Sequence, residues 1–413
     1  MTKTEEVAEK LRQQLAEDMD MDRDIPEEEL LGIIDNKIME ESRRTLIPIM
    51  VRTEIRRLIF NSMKRYGVLQ ELLEDDTITE IMINGYQNIF IERSGRLSRS
   101  EKSFESKEKL ADVAQRIAAN SNRMVNQTTP ILDTRMSDGS RVNIVLEPIA
   151  LDGACITIRK FYDTPIGIEQ LIALQSITQE VAHFLEMAIK ARYNIFVSGG
   201  TGSGKTTFLN ALSNFIPAEE RLITIEDSAE LQIRDVEGKP RNLVRLETRN
   251  ANTEGENAIT ERDLIKSALR MRPDRIIVGE IRGAEAIDML QAMNTGMSGS
   301  LSTGHSNSAR DMLNRIETMV LMGMDMPVSA VRGQIAAALE LIVHLGRLRD
   351  KSRHVLEIEE ILEFENGEIQ TKSLFRFVET GEDASGRVLG ELRKCADMIQ
   401  TDKFRAAGVK EYC

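Results

Sequence analysis

An α/β fold built on a largely parallel sheet is the class this sequence predicts, and three observations carry the prediction. A short apolar strand over 193–197 runs into a glycine-rich loop and a helix start at 199–207. Beyond it, apolar strands alternate with helical stretches, which requires crossover connections and so a parallel sheet covered on both faces. Two of those strands, at 222–225 and 275–278, run into carboxylates, Glu226-Asp227 and Gly279-Glu280. Such sheets bind ligands at the carboxyl ends of their strands, where these acids fall.

Length and composition set the outer bounds. A chain of 413 residues exceeds the roughly 250–300 at which a single core stops growing, so two or three domains are expected. Its 41% hydrophobic and 29% charged content is that of an ordinary soluble globular protein. No apolar run approaches the roughly 18 residues that span a bilayer. The opening MTKTEEVAEKLRQQLAEDMD lacks the basic region, apolar segment and cleavage site of a signal peptide, so the cytosol is the expected compartment. Cys155, Cys395 and Cys413 lie far apart without a C-x-x-C pair, which excludes a zinc ribbon and argues against a disulfide framework. A net charge of −13 argues against non-specific binding to nucleic acid. The charge is uneven: residues 1–50 hold 14 acidic and 7 basic side chains, and the remainder is nearly balanced.

The elements follow in order. Residues 1–75 read as a helical region, with Val51, Ile55, Leu58, Ile59 and Met63 at helical spacing. Asp24-Ile25-Pro26-Glu27 and Pro48 look like helix entries. Between 52 and 65, Arg52, Arg56, Arg57, Lys64 and Arg65 face one acid, Glu54; a solvated helix face is the preferred reading, with anionic lipid or a partner as the alternative. Residues 76–162 read as a smaller α+β domain: strands at 79–84 and 88–93 turning at Gly85, a helix at 106–120, then strands at 132–136, 141–146 and 154–160. Asp138-Gly139 supplies one turn, and Phe161-Tyr162-Asp163-Thr164-Pro165-Ile166-Gly167 a linker. Residues 163–350 form the α/β domain, opening with helices at 168–174 and 178–191. In 351–413, strands at 355–362 and 369–377 join at Asn366-Gly367, and 381–390 reads as mobile.

The chemistry concentrates at strand ends. Gly199 to Thr206 matches G-x-x-x-x-G-K-[ST], a phosphate-binding loop. Gly200, Thr201, Gly202, Ser203 and Gly204 let backbone N–H groups turn toward an anion at the positive end of a helix dipole. Lys205 adds a point charge for the β- and γ-phosphates; the Thr206 hydroxyl suits Mg²⁺, with Thr207 next in the cradle. Hydrolysis also needs a carboxylate near the γ-phosphate. Glu280, at the end of three β-branched residues and a glycine, is preferred for a Walker-B-like role over a surface ion pair with Arg282. Glu226 and Asp227 are the other acids. His305, in Ser300-Leu301-Ser302-Thr303-Gly304-His305-Ser306-Asn307, follows another short strand, which favours γ-phosphate sensing over a structural role.

With these four motifs in order, the chain resembles the secretion and pilus assembly ATPases of the type II/type IV superfamily. In their terms GGTGSGKTT is Walker A, ITIEDSAEL the Asp box, DRIIVGEIRG Walker B and LSTGHSNSARD the His box. The text between them is especially similar to the CpaF subgroup, which powers Tad/Flp pili, and to the related conjugation-type ATPases. The absence of the four-cysteine zinc module common in type II secretion members fits that branch. The resemblance implies a RecA-like P-loop ATPase domain, ATP and Mg²⁺, and a homo-hexameric cytoplasmic ring associated peripherally with the inner face of the cell membrane. The ring would work through an inner-membrane pilus or secretion platform protein, with no nucleic acid. It implies that Lys205 and Thr206 bind phosphates and Mg²⁺, that Glu280 orients the attacking water, that Glu226 or Asp227 supports metal or water, and that His305 links the γ-phosphate to movement. Arg141, Arg159, Arg249 and Arg272 are implied cationic contacts to nucleotide. The rival is a ring-shaped nucleic-acid motor, against which stand the acidic balance, the lack of Trp and an aromatic content of 4%. A nucleotide-gated scaffold without useful turnover is the third class.

Overall fold

A computed structural model describes residues 3–18, 25–93, 95–161, 166–233, 240–249 and 257–412. Cys413 therefore lies outside the described residues. The chain forms two compact units, Met1–Phe161 and Tyr162–Cys413.

The first unit opens with three helices, α1 (Lys3–Asp18), α2 (Glu27–Arg44) and α3 (Ile49–Lys64). Pro26 and Pro48 stand at the N-caps of α2 and α3, where a missing N–H costs nothing. Leu11, Leu15, Leu30, Ile34, Ile38, Ile55 and Ile59 form their shared core. A short α4 (Val68–Glu74) leads into an α+β layer of β1 (Ile78–Asn84), β2 (Ile89–Arg93), β3 (Arg96–Arg99), α5 (Lys107–Asn120), β4 (Ile131–Arg135), β5 (Arg141–Val145) and β6 (Cys155–Arg159). Among the described residues six strands pair throughout antiparallel in the order β3-β2-β1-β6-β5-β4. Alternate residues, Ile81 and Ile83, Val142 and Ile144, Ile156 and Ile158, turn inward to a core shared with Leu110, Ala114 and Ile117 of α5. Ser106 caps that helix, its hydroxyl accepting from the Lys109 N–H.

The second unit holds α6 (Ile168–Ala173), α7 (Gln179–Lys190), β7 (Ile195–Gly199), α8 (Lys205–Ser213), β8 (Leu222–Glu226), β9 (Leu243–Glu247), α9 (Glu261–Ala268) and β10 (Arg275–Val278). It continues through α10 (Ala286–Asn294), β11 (Leu301–His305), α11 (Ala309–Gly323), α12 (Val328–Ala338), β12 (Leu341–Arg347), β13 (Arg353–Glu365), β14 (Glu368–Glu382), β15 (Val388–Lys394) and α13 (Asp402–Ala406). Among the described residues nine strands run in the order β15-β14-β13-β12-β7-β11-β10-β8-β9. From β12 to β9 the pairing is parallel, and from β12 outward to β15 it is antiparallel. The parallel centre is buried on both faces, which is why β7, β8 and β10 read as unbroken apolar runs. The strands after residue 351 thus extend the same sheet. The segment 381–390, read as mobile, is instead the turn of the β14–β15 hairpin. Asp383 Oδ1 holds it by accepting from the Ser385 N–H at 2.8 Å and the Arg387 N–H at 2.9 Å, a local bond that composition does not reveal. Among the described residues no helix is long and apolar enough to cross a membrane.

Arg275, the first residue of β10, is wholly buried. Its guanidinium forks onto Glu220, with Nη2–Oε1 at 3.1 Å, and donates through Nη1 to the carbonyls of Ile189 at 2.8 Å and Gly299 at 3.2 Å. It therefore pins the entry edges of three elements, and a Cβ at Gly299 (φ +85°) would lie 2.5 Å from Nη1. Arg275→Ala leaves Glu220 with only the more exposed Arg192 at 3.2 Å. It should cost about 3–5 kcal/mol, the range for breaking a buried pair, read as a fall in the urea midpoint of unfolding.

Candidate active site

The site is assembled by strand register. On β7, Gly199 stands level with His305 of β11 on one side and with Leu345 of β12 on the other. A Cβ at Gly199 would lie 2.4 Å from the Leu345 carbonyl oxygen and 2.6 Å from Ser203 Oγ, so the loop closes this tightly only over glycine. Gly204, at φ +94°, is the left-handed N-cap from which α8 starts, and Lys205 is the first helical residue.

Lys205 is buried, and its ammonium donates to the carbonyls of Gly199 and Gly200, both at 3.1 Å, and lies 3.0 Å from His305 Nδ1. A lysine ammonium can only donate, so Nδ1 accepts and the ring carries its proton on Nε2. That nitrogen lies 2.9 Å from Glu280 Oε1, a close approach without the alignment of a hydrogen bond. Glu280 Oε2 accepts from Arg282 Nη2 at 3.0 Å, and Arg282 Nη1 reaches Asp227 Oδ2 at 3.4 Å. Glu280 thus pairs with Arg282 and also faces the histidine. The ends of β7, β11 and β10 bring Lys205, His305 and Glu280 into one line, with Asp227 following β8.

The electrostatics match these contacts. Burial pushes Glu280 upward, but the hydrogen bond and charge of Arg282, with His305 and Lys205, hold it below the usual carboxylate range. Burial, helped by Lys205, Arg282 and Arg315, pulls His305 down against the pull of Glu280, so the ring is neutral at pH 7. Glu261, the first residue of α9, is the exception. Burial and the charges of Glu285, Asp227 and Glu280, offset only in part by Arg282, push it up to about 8.

Glu226 is placed differently from its neighbour. It is buried, and its two oxygens accept from the backbone N–H groups of Glu230 and Leu231 at 2.8–3.0 Å. By these bonds Glu226 shapes the loop after β8. Its burial outweighs those bonds and raises its pKa. Gly279 accommodates it, since a Cβ there would lie 2.9 Å from Glu226 Cγ. Asp227, exposed and bonded by Thr248 Oγ1 at 2.8 Å, is the available carboxylate of that pair.

The four expected arginines separate. On the six-stranded sheet Arg141 and Arg159 are direct cross-strand partners, and Arg141 is equally level with Arg135, so three cations line up across β4, β5 and β6. On its other side Arg159 stands level with Glu80 of β1, whose charge it offsets. Arg249 donates from Nε to the Asn257 carbonyl at 3.0 Å in a small bridge with the 257–259 strand edge. Arg272, at φ +54°, precedes β10 and so lies at the strand's N-terminal end, opposite the edge that carries Glu280. Two others were not singled out by any motif. Arg353 at the start of β13 donates to the Gly202 carbonyl at 2.8 Å, and Arg347 at the end of β12 lies beside the same glycine. Their signal is position, since only the sheet order places a β12–β13 hairpin against a loop so distant in sequence.

The residues present fit a triphosphate and its cation. At Gly199 the loop leaves no room for a Cβ, and two buried polar atoms of the site, Ser203 Oγ in the loop and Glu280 Oε1 beside His305, have no hydrogen-bond partner. Buried polar atoms of that kind call for an absent ligand or water.

Residues 62–404 match the family of type II/IV secretion system proteins. The conjugal transfer protein TrbB of Rhizobium radiobacter is 33% identical over 309 residues, covering 73% of this chain and 88% of TrbB. The type IV secretion system protein VirB11 of Brucella suis is 31% identical over 320 residues, covering 70% and 87%. Among solved structures, the ATPase DotB of Legionella pneumophila has a TM-score of 0.51 at 22% identity, over 74% of this chain and 81% of that one, which shows a shared RecA-like fold. The chain belongs to the type II/IV secretion system protein family.

The Glu261 shift carries a pH dependence. Unfolded, the carboxyl releases its proton near 4.5; folded, it keeps it to about 8. Between those values the folded state binds more protons than the unfolded one, so this group's contribution to stability falls as pH rises. Glu261→Gln should flatten that decline, measured as urea unfolding from pH 5 to pH 8 beside the wild type.

Proposed function

We infer that this ATPase of the type II/IV secretion family hydrolyses Mg²⁺-bound ATP to drive assembly or retraction of a Tad/Flp pilus, or related protein secretion, at the inner membrane. The observation that carries the reading is the line Lys205–His305–Glu280 at the ends of adjoining strands. It places a cation for phosphate oxygens next to a neutral imidazole and a carboxylate held ionised.

In this reading, nucleotide phosphates take up the Lys205 ammonium, which leaves the Gly199 and Gly200 carbonyls and releases His305 Nδ1. The imidazole is then free to reorient, and its movement reports the γ-phosphate to β11 and α11. Glu280, kept as the anion by Arg282, accepts a hydrogen bond from the attacking water and aims it in line. Thr206 would hold Mg²⁺, with Asp227 the carboxylate available to support it, and the ion would supply positive charge to offset that of the phosphates. Within a homo-hexamer, one of the candidate arginines Arg141, Arg159, Arg249 and Arg272 would supply cationic contact at the transition state, worth about 10³–10⁵ in rate when an arginine acts there. The ring would pass the motion to a membrane-embedded platform protein, and the chain would be cytoplasmic and peripherally attached to the inner membrane.

Lys205→Ala should weaken nucleotide binding in isothermal titration, and unchanged affinity would remove the phosphate assignment. Glu280→Gln keeps shape and loses charge, so binding should persist while steady-state hydrolysis falls by more than about tenfold, or about 1.4 kcal/mol of barrier. Measured across protein concentrations, specific activity that climbs steeply with concentration and vanishes in Glu280→Gln would support sites shared between subunits. Wild-type turnover no higher than the variant's would favour the gated scaffold.

A further inference from the structure

The arginines of α3 that suggested an anionic partner are mostly committed within the first unit. Arg56 meets Asp35 at 3.1 Å, Arg57 meets Glu54 at 2.8 Å and Glu71 at 3.0 Å, and Arg65 meets Glu74 at 3.2 Å. The stripe is therefore a surface network, as the preferred reading of the sequence held. Immediately before it lies a different surface.

Helices α2 and α3 are joined by residues 45–48, which puts a tight turn at one end of the three-helix bundle. Three of its apolar side chains are almost entirely in solvent: Leu46 at 95%, Ile49 at 78% and Met50 at 84% exposed. One neighbour, Ile47, turns inward and is buried in the bundle core. The turn is held in shape by Arg52, whose Nε donates to the Ile47 carbonyl at 2.9 Å, and by Pro48 at φ −60°. Exposed arginines Arg43 and Arg44 stand in the last turn of α2 beside it. Residues 43–52 hold three arginines and no acid, within a first 50 residues that carry twice as many acids as bases. A local positive, apolar tip on an acidic segment is the reverse of what solubility alone would select.

We propose that this α2–α3 tip is a membrane-contact site that inserts Leu46, Ile49 and Met50 at the headgroup boundary of an anionic phospholipid surface, with Arg43 and Arg44 on the phosphates. Three features choose a lipid surface over a protein. The three apolar side chains, in the α2–α3 connection and the start of α3, are 78–95% exposed, as insertion into lipid requires. Its charge complements anionic headgroups, each arginine near such a surface strengthening binding roughly fivefold. A stable protein interface needs about 800 Å² on each partner, more than three side chains of one turn present, whereas shallow apolar insertion joined to basic charge suffices at a membrane. This contact is direct and separate from ATP hydrolysis, and the tip residues have no place in the catalytic line.

The test is flotation of the full-length protein with phosphatidylcholine vesicles and with mixed phosphatidylcholine–phosphatidylglycerol vesicles. The wild type should float with the mixed vesicles and much less with the neutral ones. Arg43→Glu with Arg44→Glu should weaken binding at least tenfold, and Leu46→Asp with Ile49→Asp should abolish it, while hydrolysis in vesicle-free buffer stays at the wild-type level. Because the chain contains no tryptophan, Leu46→Trp gives a single reporter whose emission should move to the blue on mixed vesicles only. No flotation of the wild type, flotation indifferent to the tip variants, or an emission that does not move would each overturn the proposal; a tip-dependent association seen only between copies of the chain would reassign the patch to self-contact.

Discussion

The level alignment of Gly199, His305 and Leu345 across three parallel strands is the constraint on which the site depends. A shift of one residue in the β7–β11 pairing would turn His305 to the opposite face of the sheet and take its Nδ1 away from the Lys205 ammonium. The same alignment brings the Leu345 carbonyl against Gly199 so closely that no side chain fits between them. Register here does the work usually assigned to individual catalytic residues, because the buried β7 core fixes it through packing on both faces.

The second organising force is the ordering of charge at the strand ends. Lys205, Glu280, Arg282 and Asp227 alternate in sign along a short path, with a neutral imidazole inserted after the lysine. Arg282 overcomes the cost of burying Glu280 and keeps it ionised. Glu261, without a cation of its own at such close range, takes the other course and keeps its proton to about 8. Two carboxyls near the same arginine thus differ in protonation because one is hydrogen-bonded to it and the other only feels its field.

Much of this was legible in the residues. The apolar runs before Gly199, Glu226, Glu280 and His305 marked the central strands, and the prolines at 26 and 48 marked helix starts, because both signals are local. What stayed hidden depended on contacts between distant segments. Glu226 and Asp227 are adjacent and chemically alike, yet only the fold shows that the amides of Glu230 and Leu231 occupy the first of them. Arg353 looks like any surface arginine until the strand order carries it to the Gly202 carbonyl. The β14–β15 turn reads as loose polar sequence, and its order comes from one carboxylate gathering three donors. The arginine row on the six-stranded sheet follows from pairing β4 with β5 and β5 with β6, which no single strand announces.

The fit between Gly279 and Glu226 reaches beyond packing. The glycine that follows β10, next to Glu280, clears space for a glutamate on the neighbouring strand, and that glutamate in turn folds the loop behind Asp227. The two motifs are therefore a single unit of inheritance. A larger residue at 279 is compatible only with a shorter one at 226, and a shorter one at 226 abandons the loop. A substitution at either position has to be read with the other, because the two side chains share one space.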